Sequence, residues 1–217
     1  MVTSLRLSNK QVDELFAQNK IFVNGKLPHP KQKVNHEDEI VVNEEVIKES
    51  KPLLYFKYYK PRGVECTMNE NIPNNLKSTL NFDFEIFPIG RLDKESEGLM
   101  ILTNDGKIYN KIIHSNEHQE KEYFVEVDSV ITDEFILQMQ QGVVIMGEKT
   151  RPCTLSIINE YTFSIVLTQG LNRQIRRMCY KLGYNVLNLK RIRMININLE
   201  GLKEGEVCQI SRSEINI

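Results

Sequence analysis

The stretch Gly90-Arg91-Leu92-Asp93-Lys94-Glu95-Ser96-Glu97-Gly98-Leu99 places an aspartate in a short polar loop between two apolar strands. Loops held by rigid strands present functional carboxylates well, although an aspartate at such a position is also a common solvated turn residue. Asp93, Glu95 and Glu97 would share one face of an extended strand and so offer a magnesium site, but Arg91 and Lys94 already compensate the charge. His114 and His118 stand four apart, yet Ser115-Asn116 interrupts a helix there and the zinc-protease order of residues is missing. Neither type of Gly-rich phosphate cradle occurs in the chain.

A second chemical signal is charge. Between Tyr161 and Leu199 the charged residues are Arg173, Arg176, Arg177, Lys181, Lys190, Arg191 and Arg193, with no acid among them. The 28 Lys+Arg against 29 Asp+Glu of the whole chain hide this segregation. A polyanion responds to the local field rather than to net charge, so the stretch points to an anionic ligand over a merely solvated basic face. On a helix spanning Asn172 to Leu182, Ile175, Met178, Cys179 and Leu182 fall within a stripe about 100° wide, and Gly183 supplies the stop. Arg173, Arg177 and Lys181 point away from that stripe. Arg176 sits at its edge, where an arginine either reaches into a cleft or covers the core with its stem; the wheel fits both.

The elements that must position these residues follow from periodicity. Ser8 and Gln11 form a capping box before a helix carrying Val12, Leu15 and Phe16. Ile21-Phe22-Val23 is a strand, Asn24-Gly25 suits a tight turn, and a second strand lies near Glu39 to Val42. Asn43 to Lys51 reads as a linker, so residues 1–50 form one unit and 51–217 another. In the larger unit, strands are expected at Leu53–Tyr59, Leu99–Leu102, Thr154–Ile158 and Phe163–Leu167, and at Tyr123-Val125-Val127 by alternation. Helices are expected at Lys107–His114 and after the Thr132 cap, the latter ending at Gly142. Strands joined mostly by turns predict an α+β fold with a mixed, largely antiparallel sheet.

At 217 residues the chain suits one domain and a small appendage, at about 150 residues per domain. With 41% hydrophobic and 26% charged residues it is neither disordered nor collagenous. Cys66, Cys153, Cys179 and Cys208 are scattered, which indicates neither a disulfide framework nor a zinc knuckle. Apolar runs fall far short of the ~20 residues a membrane helix needs, and Met1 to Lys10 lacks the core of a secretion signal. A soluble, monomeric, cytoplasmic protein is expected.

Taken together, Gly90-Arg91-Leu92-Asp93, Glu97-Gly98-Leu99 and Leu102-Thr103-Asn104-Asp105-Gly106 resemble the catalytic signature of the RsuA-type ribosomal RNA pseudouridine synthases. Lys60-Pro61-Arg62-Gly63 is similar to the element upstream of it, and Lys121-Glu122-Tyr123 to the second motif. Gly170 to Met178, followed by Leu189 to Arg193, is similar to the third. The wording of this last part is most similar to the branch called ribosomal large subunit pseudouridine synthase F. The N-terminal unit resembles the second half of an S4 RNA-binding domain; only Met1 to Leu7 stand where the preceding helix of that family lies, so a degenerate or shortened S4 unit is expected.

The resemblance implies isomerisation of uridine to pseudouridine within RNA, with 23S ribosomal RNA as the expected substrate and a tRNA as a further one. That reaction is redox-neutral and needs no group donor, so no cofactor and no metal are implied. Asp93 is the implied catalytic carboxylate, Arg176 the residue that keeps it ionised by a charge-assisted pair, and Tyr123 the wall on which the target base stacks. Arg91 is implied to fill the gap left by the flipped nucleotide, and Leu189 to lie beneath the uracil. Arg173, Arg177, Lys181, Arg191 and Arg193 are implied phosphate contacts. The competing reading is a non-catalytic RNA-binding or ribosome-assembly protein on the same fold.

Overall fold

The structure, a computed structural model, describes residues 8–29, 31–34, 37–113 and 119–217. His114 and His118, and the segment Met1 to Leu7, lie outside the described residues. The chain divides into two compact units, Met1–Leu53 and Leu54–Ile217.

In the first unit the Ser8–Gln11 capping box closes the start of α1 (Asn9–Ala17). Its apolar face, Val12, Leu15 and Phe16, covers Ile21, Ile40 and Val42 of a three-stranded antiparallel sheet. The strands are β1 (Ile21–Val23), β2 (Ile40–Val42) and β3 (Glu45–Lys48). Asn24 and Gly25 both adopt positive φ, as a tight turn requires, and the Asn24 side chain reaches Asp38 and the Glu39 amide to tie down the segment before β2. The expected linker is corrected here: Asn43 and Glu44 form a second left-handed turn and β3 follows. β3 is an edge strand, and its Glu and Lys residues keep that edge soluble while hiding its strand character from a hydropathy reading.

The larger unit is built on a nine-stranded sheet. Its principal strands run in the order β10 (Thr154–Asn159), β11 (Thr162–Leu167), β7 (Lys121–Val127), β12 (Val186–Met194), β6 (Glu97–Thr103), β4 (Tyr55–Lys60) and β14 (Val207–Ile210). The short strands β5 (Phe87–Ile89) and β13 (Ile197–Asn198) attach to β6 and β12. A separate hairpin joins β8 (Val144–Ile145) to β9 (Glu148–Lys149). Pairing is antiparallel except between β12 and β6, so the fold is α+β with a mixed, largely antiparallel sheet.

That parallel junction is short, Lys190 opposite Glu97 and Arg191 opposite Gly98. It permits no side chain at Gly98: φ is +109°, and a Cβ there would stand 2.3 Å from the Arg191 carbonyl oxygen. α4 (Asp133–Gln141) and α5 (Gln174–Lys181) pack Phe135, Met139, Ile175 and Met178 on Val125, Phe163 and Ile165 of the sheet. A second core gathers Phe56, Tyr58, Met100 and Leu102 with Leu92 of the polar loop and Leu76 of α2 (Leu76–Leu80). Tyr123 packs against both cores.

Two departures from the sequence reading bear on the site. β12, the longest strand, is interrupted by Asn188, Lys190, Arg191 and Arg193, so hydropathy does not announce it. α5 starts at Gln174 rather than Asn172, because Arg173 occupies the N-cap in left-handed backbone at φ 52°.

Candidate active site

The loop between β5 and β6 is fastened at several points. The Ser96 amide donates to the Asp93 carbonyl at 3.0 Å, and the Gly63 amide donates to the Lys94 carbonyl at 2.8 Å. Gly63 belongs to the Lys60-Pro61-Arg62-Gly63 turn, whose shape is set from inside. The fully buried Lys60 ammonium donates to the Pro61 and Val64 carbonyls, both at 2.8 Å, and burial holds its pKa below the usual lysine range. Arg62 reaches the Asn188 side chain at 2.9 Å. Downstream, Asp105 accepts from the Lys107 and Ile108 amides and from the Tyr55 hydroxyl. The Leu-Thr-Asn-Asp-Gly segment thus caps α3 (Gly106–Ile113) rather than supplying a reacting group.

The loop overhangs a cleft of about 420 Å³. Asp93, with its side chain 29% exposed, faces it together with Arg91. Tyr123, Leu189, Arg173 and Arg191 line it as well. Asp93, Tyr123, Arg91, Leu189, Arg173 and Arg191 are therefore gathered in one place, while Arg176, Arg177 and Lys181 line an adjacent groove that shares Arg173. Sheet register explains part of this lining. Tyr123 lies opposite Arg191 and Val125 opposite Leu189 on neighbouring strands, so all four share one face.

The arginines take roles different from those expected. Arg173, not Arg176, is the cation nearest Asp93: its Nη1 lies 3.9 Å from Oδ2 and donates to Glu95 at 2.8 Å. That hydrogen bond holds the Glu95 carboxyl below its usual range. Arg176 forms no ion pair with Asp93 among the described residues. Its guanidinium donates to the Glu95 carbonyl at 3.2 Å, the Ser96 hydroxyl at 3.3 Å and the Val186 carbonyl at 3.0 Å, clamping the loop to β12. The helical wheel places Arg176 correctly at the buried edge but cannot place Arg173, which lies outside the regular helix. Burial, then the neighbouring Arg173, push the Arg176 guanidinium below its usual value, while Asp93 and Glu95 oppose the shift.

Arg191 is likewise corrected. It is 1% exposed and donates through Nε to the Leu99 carbonyl at 2.7 Å, so it does not stand at the surface for a phosphate. It is buried because β12 runs through the middle of the sheet. Arg193 is engaged by Glu122 at 2.9 Å and Glu120 at 3.0 Å. The three carboxylates weighed as a magnesium site diverge: Asp93 and Glu95 meet Arg173, and Glu97 accepts from the Tyr59 hydroxyl at 2.9 Å.

Lys121 and Arg151 also line the cleft. Lys121 was legible by extending the Tyr123-Val125-Val127 alternation back two residues; burial and Arg191 lower its pKa. Arg151 sits in irregular chain, where no periodicity marks it.

If Arg176 acts through the loop, Arg176→Ala is expected to slow single-turnover chemistry about 100-fold and to change RNA affinity less than about threefold. Hydrogen bonds from a charged group are worth roughly 1.5–3 kcal/mol each, and about 1.4 kcal/mol is a factor of ten in rate. Arg176→Lys, which cannot span both carbonyls, is expected to recover little of it. Stopped-time conversion and filter binding on the same RNA check both halves.

The sequence profile described as RNA pseudouridylate synthase matches residues 55–181, more than half of the chain. The dual-specificity RNA pseudouridine synthase RluF of Escherichia coli strain K12 is 40% identical over 210 residues, covering 96% of this chain and 72% of that protein. The chain belongs to the RNA pseudouridine synthase family. The ribosomal large subunit pseudouridine synthase B of Bacillus subtilis strain 168 is 33% identical over 217 residues, covering 96% of this chain and 88% of its own length. A crystal structure of a pseudouridylate synthase superposes with a TM-score of 0.70 at 28% identity, covering 98% of this chain and 94% of that one. As a pseudouridine synthase the protein is an isomerase, and the cleft beneath Asp93 is where its chemistry is sought.

Proposed function

We propose that this pseudouridine synthase isomerises a specific uridine of structured ribosomal RNA, with 23S ribosomal RNA as the substrate class best supported and tRNA as the second class to test. The observation that carries the reading is Asp93, held on a tethered loop at a cleft that Tyr123 and Leu189 also line. A cleft of about 420 Å³ falls in the range that encloses a small ligand. The names of the relatives in Escherichia coli and Bacillus subtilis support an RNA substrate and a ribosomal one.

The chain's own residues divide the work. A uridine that leaves its stack loses a few kcal/mol, and stacking on Tyr123 above Leu189 recovers part of that. Arg91 occupies the space the nucleotide vacates. Asp93 then acts at the sugar, on C1′ or on the C2′ proton, while the C1′–N1 bond breaks; either action requires the ionised carboxylate. Arg173, with its Nη1 at 3.9 Å, is the cation that faces it. The uracil turns and C5 bonds to C1′, as Asp93 leaves C1′ or the proton returns to C2′; C5 then loses its proton and N1, freed from the sugar, gains one, so the product is an isomer of the substrate. Arg173, Arg177 and Lys181 contact phosphates and fix register without reading sequence. The unit Met1–Leu53 acts as a small S4-like RNA-binding module, and the protein works as a cytoplasmic monomer. Among the described residues no helix is long and apolar enough to cross a membrane.

The deciding experiment maps pseudouridine in ribosomal and transfer RNA from cells with and without this protein, then repeats conversion in vitro on the site found. Loss of one or a few modified sites supports the reading; an unchanged map, with no conversion of either RNA by the purified protein, turns it to the non-catalytic binder. One phosphate contact also has a thermodynamic signature. Arg177, exposed on α5 with its guanidinium donating to Asn172, is expected on replacement by Ala to reduce the slope of log K against log salt by about one. A titration between low and moderate salt reads it, and an unchanged slope returns Arg177 to a solvated face.

A further inference from the structure

The groove beside the cleft carries a feature that phosphate binding does not explain. It has a volume of about 560 Å³, and Arg173, Arg176, Arg177 and Lys181 line it with no acid among its lining residues. Between these cations stand Tyr180, 73% exposed, and Met146, 66% exposed, the two most exposed large apolar side chains among the described residues. Phosphate oxygens would be served by the cations alone. An aromatic face and a thioether set among guanidinium groups suit a flat, polarisable ring attached to an anion.

Both platform residues are held by rigid elements. Tyr180 lies within α5, where its neighbours Met178 and Cys179 are fully buried, so its backbone is anchored. Met146 occupies the β8–β9 turn, where Met146 and Gly147 take φ of 51° and 85°. Arg173 lines both the groove and the cleft, so a strand with one nucleotide in the cleft passes directly from one to the other.

We propose that this groove is a second nucleotide subsite, in which an unpaired nucleotide flanking the target uridine stacks its base on Tyr180 beside Met146 while Arg177 and Lys181 take its phosphates. This rests on the reading that the chain acts on RNA. It deepens that reading, since it makes the enzyme sense whether the neighbour of its target is free of base pairing. Stacking has no hydrogen-bond code, so the subsite tolerates any base and favours purines for their larger face.

The test is a mutant cycle on an RNA hairpin that the wild-type protein converts. Affinities of wild type, Tyr180→Ala and Tyr180→Phe are measured on that hairpin and on versions with an abasic ribose immediately 5′ or 3′ of the target. Tyr180→Ala is expected to bind the intact hairpin about tenfold more weakly, about 1.4 kcal/mol, as loss of one base–aromatic stack would give, and Tyr180→Phe within about twofold of wild type. On one of the two abasic hairpins, wild type and Tyr180→Ala are expected to bind equally. Equal binding of wild type and Tyr180→Ala to the intact hairpin overturns the subsite, as does an undiminished tenfold gap on both abasic hairpins. If wild type converts no RNA at all, the underlying function falls and the subsite with it; conversion with no effect at Tyr180 removes the subsite alone.

Discussion

Asp93→Asn is expected to lower conversion by at least about 10⁴-fold while leaving RNA affinity within about threefold of wild type. Removal of a group that attacks or deprotonates the reacting atom costs on this order, because the remaining contacts bind but do not react. Asparagine keeps the size and polarity of the side chain and removes its charge, so the loop keeps the bonds from Gly63, Ser96 and Arg176, none of which uses the Asp93 carboxylate. Affinity holds because an acid at the mouth of a basic cleft contributes nothing to phosphate binding. Release of label from C5 of uridine measures the reaction directly, since that hydrogen is lost when C5 joins the sugar. Residual activity near a tenth of wild type would show that the carboxylate is not the reacting group.

Gly98→Ala is expected to lower stability by about 4 kcal/mol. Two costs combine: positive-φ strain of roughly 1–3 kcal/mol, and overpacking of roughly 1–3 kcal/mol against backbone that cannot yield. The clashing atoms are the carbonyl oxygen and amide nitrogen of Arg191, at 2.3 and 2.7 Å from the added carbon. Relief therefore means separating β6 from β12. At about 2–4 °C per kcal/mol for a unit of this size, Tm falls by about 12 °C. Gly201→Ala is the control: its φ is +77° but nothing lies within 4 Å of the new carbon, so about 1 kcal/mol is expected. Equal losses at the two glycines would show that the strand crossing tolerates a side chain.

Much of this site was readable before any coordinates. The aspartate in its loop, the tyrosine on its alternating strand and the capped helices each follow from local rules, because each depends on neighbours close in sequence. What stayed hidden depends on neighbours far away. β12 reads as polar, yet its Arg191 is buried in mid-sheet, where it donates a hydrogen bond to the Leu99 carbonyl 92 residues distant. β3 reads as linker because edge strands carry charge. Arg173, not Arg176, meets Asp93 because the helix begins at Gln174, two residues later than hydropathy suggests, and a left-handed cap aims its side chain by backbone conformation rather than by a 100° wheel.

The fastening of the Asp93 loop has a consequence for the partner molecule. Bonds from the Gly63 amide, the Ser96 amide and the Arg176 guanidinium fix that segment through groups of the protein itself. The entropy of ordering it is lost during folding, and docking does not incur it again. A scaffold this preorganised leaves the deformation to the nucleic acid, so uridines whose surroundings open at least expense become the ones selected.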